Sequence, residues 1–197
     1  KIHLSLLTAS MIAGSAAASI ELDTAKHFNL VPTNAPSQNF DLSKWKITLP
    51  ELSSEKAGKA LEIDKQQLSN TQTPYSHPQW FYTDKNTGAL VFVAPNEAPT
   101  TPNSKNTRSE LRAMLADKYD EPKNNFVVAS HPNASQYGAI GGQLKATLSV
   151  DQVSTSGNDK KNGAYAVVIG QIHGSDNEPL KIVYRKLPEH DYGSFAW

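Results

Sequence analysis

Three observations predict an all-β fold, an antiparallel two-sheet β-jelly roll. Period-two hydrophobic patterns dominate after residue 75, turn-rich clusters separate them, and no helices alternate with the strands. The first ordered element is expected at Asn39-Phe40-Asp41-Leu42. Lys56 to Leu68 is the only stretch able to hold a short helix, and Gly58 weakens it. Trp80-Phe81-Tyr82 and Leu90-Val91-Phe92-Val93 flank Asp84-Lys85-Asn86-Thr87-Gly88, the pattern of a hairpin with a glycine-containing loop. Gln143 to Val150 alternates without a fault and predicts a strand burying Leu144, Ala146, Leu148 and Val150. Ala164 to His173 and Leu180 to Leu187 are two further expected strands, separated by the turn residues Gly174 to Pro179.

Composition bounds the function. The 197 residues carry 19 Lys+Arg against 19 Asp+Glu, and neither half is basic: residues 1–99 hold 8 basic and 9 acidic groups, residues 100–197 hold 11 and 10. Broad electrostatic capture of nucleic acid is therefore not expected. The absence of cysteine excludes disulfides, thiolate metal sites and a cysteine nucleophile. Lys1, the apolar run Ile2 to Ala13 and the small residues Gly14 to Ser19 read as a signal peptide over 1–18, cleaved after Ala18. That run is too short to span a membrane. Residues 19–38 read as a linker, since Val31-Pro32-Thr33-Asn34-Ala35-Pro36-Ser37 has no apolar period. The domain then occupies 39–197. Its apolar ending, Ser194-Phe195-Ala196-Trp197, reads as a domain incomplete at the C-terminus.

Two segments carry chemistry. In Arg108-Ser109-Glu110-Leu111-Arg112 a strand would place Arg108, Glu110 and Arg112 on one face and Leu111 in the core. Two guanidiniums around one carboxylate hold each other in orientation, and their forks match a carboxylate ligand. The plain alternative is a solvated strand face with ordinary ion pairs. In Ala164 to His173 one face would carry Tyr165, Val167, Ile169, Gln171 and His173, and the other only small or apolar residues suited to packing on a second sheet. An amide and an imidazole ending such a strand would make a polar pocket with a neutral base at mildly alkaline pH. The alternative is a histidine that closes the strand and bonds a loop.

Arg108-Ser109-Glu110-Leu111-Arg112 and Gln171-Ile172-His173 resemble two of the three signature motifs of the alginate lyases of polysaccharide lyase family seven. Phe40 to Pro50 is similar to that family's first strand, and Lys181 to Pro188 resembles a later one. The likeness extends from Phe40 to Trp197. The family's third motif, of the form Tyr-Phe-Lys-Ala-Gly-x-Tyr-x-Gln, provides the catalytic tyrosine. Nothing here matches it, and Tyr165, Tyr184 and Tyr192 stand in different contexts.

The signal-peptide reading implies secretion, extracellular or periplasmic, and the resemblance implies a lyase. It would act as a monomer on the anionic polysaccharide alginate, need no metal or organic cofactor, and have no nucleic-acid or membrane partner. The substrate groove would lie on the concave sheet, with Arg108, Glu110, Arg112, Gln171 and His173 facing it. An arginine of the first motif, taken as Arg108, would act with Gln171 and His173 in catalysis. Glu110, Arg112, Lys181 and Arg185 would bind substrate. Spacing does not separate Arg108 from Arg112, which share a face with Glu110, and orientation of those guanidiniums is the preferred role of Glu110. Lys181 and Arg185 share a strand face, lining the groove or facing solvent. Ile172, between Gln171 and His173, is associated in the family with guluronate-containing blocks. Trp45, Trp80 and Tyr82 are candidates for sugar stacking, with core packing preferred. Two other classes remain: a non-catalytic carbohydrate-binding jelly-roll module, which would show exposed aromatics, and a glycoside hydrolase, which needs a second carboxylate beside Glu110.

Overall fold

The computed structural model describes residues 24–116, 122–156, 163–174 and 179–196. The expected signal peptide therefore lies outside the described residues, as does Trp197. Strands far outnumber helices and pair antiparallel in every sheet but one, so the protein is all-β, consistent with a jelly roll. The chain divides into two compact units, the first ending at Met114 and the second beginning at Leu115.

In the first unit β1 (Trp45–Leu52) is the central strand of a three-stranded sheet, between β2 (Ala60–Ile63) and β5 (Glu110–Ala113). Ile47 lies opposite Ile63 on one side and Leu111 on the other, so a single apolar row crosses all three strands. That row meets Leu42, Leu49, Leu68 and Phe81 in one buried cluster, in which Ile47, Leu49, Leu68 and Phe81 are fully enclosed. Trp45 and Trp80 pack against this cluster, as core residues rather than free stacking platforms.

The hairpin forms as its turn chemistry dictates. β3 (Phe81–Thr83) pairs antiparallel with β4 (Leu90–Phe92). The Asp84 carboxylate accepts from the Asn86 and Thr87 amides and the Thr87 hydroxyl. Burial raises the Asp84 pKa, but these hydrogen bonds outweigh it and hold the carboxyl below its usual value. Gly88 sits at φ +72°, and a Cβ there would lie 2.7 Å from the Leu30 Cβ. The stretch expected to hold a helix is split. β2 takes its middle, and only Lys65–Leu68 is helical, capped by Asp64 accepting from the Gln67 amide at 2.8 Å.

From residue 24 onward the segment read as linker carries structure of its own. It is helical over 24–28 and again over Pro36–Asn39. Asn39 donates to the Val31 and Gly88 carbonyls and accepts from the Val31 amide, and the Ser37 hydroxyl donates to the Asn70 carbonyl. Side-chain hydrogen bonds of this kind leave no periodic trace in a sequence.

In the second unit β8 (Ala166–Ile172), β9 (Leu180–Arg185) and β10 (Ser194–Ala196) form an antiparallel sheet with β9 in the middle. Phe195 lies opposite Tyr184, their rings edge to face at 5.3 Å. Gly193 admits that tyrosine, since a Cβ there would lie 2.1 Å from the Tyr184 Cζ. β6 (Phe126–Val127) and β7 (Ala139–Ile140) make a short parallel pair.

The strand expected over Gln143–Val150 does not form. These residues belong to no ladder, and Leu144 and Leu148 are exposed. Alternation supplies a face, but a strand also needs a neighbour to take its backbone hydrogen bonds, and none of the described residues pairs with this segment.

Candidate active site

In the first unit the charged motif sits where the core places it. With Ile47, Leu111 and Ile63 turned inward, the alternate residues of β1, β2 and β5 share the opposite face. Thr48 is flanked by Glu62 on β2 and Glu110 on β5, and Lys46 lies directly opposite Arg112. Arg108 precedes β5 and so is not on the strand expected to carry it, yet its Nη1 donates to Glu110 Oε1 at 3.2 Å and its Nη2 to the Ser104 hydroxyl at 2.7 Å. Glu110 thus orients the Arg108 guanidinium. The Ser109 hydroxyl anchors this approach to the Trp80 carbonyl at 2.7 Å.

Trp80 is in turn held by His77. The His77 Nδ1 accepts from the amides of Gln79 and Trp80, so the ring proton is on Nε2, which meets Glu51 at 2.7 Å. With Nδ1 filled by backbone donors, His77 secures a turn and is no base for a substrate. Burial, with the Glu51 charge as a smaller cause, holds the nearby Tyr75 hydroxyl above its ordinary pKa.

Sequence reasoning passed over Lys46, Thr48 and Glu62. The signal was present, because Lys46 and Thr48 alternate with Trp45, Ile47 and Leu49 within one strand. Lys46 Nζ lies 2.5 Å from Glu62 Oε1, and the Thr48 hydroxyl donates to the same oxygen at 3.3 Å. Burial pushes the Glu62 pKa up, but the hydrogen bond and charge of Lys46, with Thr48 and Lys56, outweigh it and hold the carboxyl below its ordinary 4.5.

In the second unit the register overturns the expected face of β8. Val168 pairs with Val183 and Gly170 with Ile182, which leaves Ile169 as a β-bulge. Gln171 then lies opposite Lys181, on the face of Ala166, Val168, Val183 and Arg185, and not with Val167. Tyr165 is also removed from that expected face, since it precedes β8 with φ +57°. Ile172 pairs with Leu180 as the last rung, and His173 follows it, exposed to solvent.

The structure therefore groups Arg108, Glu110 and Arg112 in the first unit and Gln171, Lys181 and Arg185 in the second. A cleft of about 540 Å³ in the first unit is lined by Pro32, Asn34, Ser76, Tyr82, Thr83 and Lys85 and contains none of the motif residues. The charged motif of that unit lies outside this cleft, on a partly buried sheet face whose central residue, Thr48, is buried. Among the described residues no group of three His, Cys, Asp or Glu could hold a metal ion, and no helix is long and apolar enough to cross a membrane.

Residues 40–197 match a family model described as alginate lyase. An alginate lyase from Klebsiella pneumoniae is 41% identical, over 81% of this chain and 53% of its own length. A crystal structure of the alginate lyase from that organism superposes with a TM-score of 0.71 at 38% identity, over 82% of this chain and 57% of its own. A family 7 alginate lyase solved with a bound product is 43% identical over 42% of this chain and 32% of its own, with a TM-score of 0.35. The chain spans about half the length of the curated relative it matches.

Proposed function

The chain belongs to the alginate lyase family, and we propose that the protein cleaves alginate by β-elimination at uronate residues, giving 4,5-unsaturated oligosaccharides. The observation that carries this reading is the part-buried Arg108–Glu110 pair on a charged sheet face. A guanidinium held by a carboxylate on one side presents its remaining donors in fixed orientation to a second carboxylate.

Each uronate bears a carboxylate on C5, and the C5 hydrogen is only weakly acidic while that group keeps its charge. On this reading Arg108 neutralises the carboxylate and the Gln171 amide donates a hydrogen bond to it, which stabilises the enolate-like transition state. His173 takes the C5 proton. The electron pair left behind forms the C4–C5 double bond, and the C4–oxygen bond breaks. A proton must reach the leaving oxygen, the role that a tyrosine of the third motif has in the family; no tyrosine of these 197 residues stands in that motif. Glu110 orients the guanidinium, while Arg112, Lys181 and Arg185 bind neighbouring carboxylates. The same reading makes the protein a secreted monomer with a soluble polyanion as partner and no resident cofactor, and Ile172 assigns it guluronate-containing blocks.

Incubation of the full-length protein with alginate tests this. Ultraviolet absorbance of the conjugated double bond should rise together with new chain ends. New reducing ends without that absorbance would make the protein a hydrolase, and binding with neither would make it a carbohydrate-binding module.

A further inference from the structure

The Arg108 guanidinium is held by Glu110 and Ser104, yet the ladder of β1 and β5 runs only as far as Glu110. The backbone that carries Arg108 is tied down by the residues on either side of it. The Thr107 hydroxyl donates to the Pro95 carbonyl, and the Ser109 hydroxyl to the Trp80 carbonyl. The second tie is only as firm as the turn that presents Trp80. Backbone hydrogen bonds between His77 and Phe81 close the ends of that turn. Its interior is held by the His77 imidazole, whose Nδ1 accepts from the Gln79 and Trp80 amides at 3.2 Å each. The rings of His77 and Trp80 lie nearly parallel, 15° apart.

Elsewhere in the unit shorter side chains do the same work. Asp84 accepts from the amides two and three residues ahead, and so does Asn70. A histidine adds what neither has, a second nitrogen on the far side of the ring. Its Nε2 meets Glu51 of β1, the strand whose Thr48 stands opposite Glu110. His77 thus joins the turn that anchors Ser109 to the strand that pairs with Glu110. The Arg108 Nε is buried with no hydrogen-bond partner among the described residues. Such an orphaned donor costs free energy and persists where the surroundings fix the group that carries it.

We propose that His77 is a positioning residue for the elimination. Through the Trp80 carbonyl and the Ser109 hydroxyl, it sets the Arg108 guanidinium at the angle that a uronate carboxylate requires. This rests on the lyase reading and on the place of Arg108 in it. Arg108 acts on charge that develops in the transition state, so a guanidinium tilted by loss of the tie costs kcat more than KM.

The test follows double-bond formation by the full-length protein over a range of alginate concentrations, with thermal midpoints measured alongside. His77→Ala and Ser109→Ala should each lower kcat roughly tenfold, with KM within about twofold of wild type. His77→Asn, whose side-chain oxygen can accept from the same two amides, should recover most of the lost kcat. The two alanine changes together should cost little more than either alone. Neither should further lower the residual kcat of Arg108→Ala, because both act through that guanidinium. Should His77→Ala not fold, Ser109→Ala carries the comparison with Arg108→Ala. Lower thermal midpoints with wild-type kcat would make the His77 turn a structural clasp and overturn the inference alone. An undiminished loss of kcat in the Arg108→Ala background would overturn it too. A wild-type protein that forms no double bond would overturn the lyase reading, and this inference with it.

Discussion

The two units are built on opposite economies of packing. In the first, β1 runs through a closed apolar cluster in which Ile47, Leu49, Leu68 and Phe81 are fully buried. In the second, the ladder of β8 and β9 is as regular on either side of its bulge, but every residue of β9 is only half-buried and β10 is exposed. Ala164 is the one hydrophobic residue that is buried among those described there. Backbone hydrogen bonds thus organise both sheets, while side-chain burial stabilises chiefly the first. A buried strand also has its parity enforced, because a one-residue slip would turn Ile47 and Leu49 outward. Both ladders nevertheless absorb an irregularity: β1–β2 shifts register between Leu49 and Leu52, where β1 passes from buried to exposed residues, and β8 bulges at Ile169.

The sharpest way to break this contrast is truncation on each side. Phe81→Ala should cost about 3–5 kcal/mol in denaturant unfolding, whereas Val183→Ala in the middle of β9 should cost less than about 1 kcal/mol. Equal losses would erase the difference between the units. An intermediate effect comes from cross-linking, for which a chain without cysteine is a clean background. With the bulge in place, Gln171→Cys and Lys181→Cys are directly opposed and should oxidise to a disulfide worth about 2–3 kcal/mol. An unbulged ladder would put Gly170 opposite Lys181, so ready cross-linking of Gly170→Cys to Lys181→Cys would remove the bulge.

The smallest effect is the pH response of the charged face in the first unit. The folded pKa of Glu62 is lowered, so its pair with Lys46 contributes stability above the ordinary value of 4.5, lost as pH falls through the lowered one. The stability gap between wild type and Glu62→Gln should therefore be constant near neutrality and close in acid, within the 0–1 kcal/mol typical of solvent-screened pairs. A gap that persists unchanged at the acid end would show that the charge of Glu62 contributes nothing.

What the sequence made legible follows the same division. The β3–β4 hairpin could be read because Asp84, Thr87 and Gly88 specify their turn locally. The inward side of the Arg108 motif was legible because Leu111 belongs to an apolar row. Gln143–Val150 misled because alternation says nothing about a partner strand, and the face of Gln171 because a bulge leaves no mark in the run Val167-Val168-Ile169-Gly170. Lys46 and Glu62 were missed for a third reason. Alternation within β1 marked the face of Lys46, but that this face meets Glu62 and Arg112 is a matter of register between separate strands, which no local window contains.

The central proposal is that the elimination requires both Arg108 and His173. The direct measurement is the rate of double-bond formation from saturating alginate by the full-length protein and by Arg108→Ala, His173→Ala and Arg185→Ala. The first two should each lower kcat by about 10²-fold or more, and Arg185→Ala should act mainly on KM. Wild-type kcat in either Arg108→Ala or His173→Ala would contradict the account.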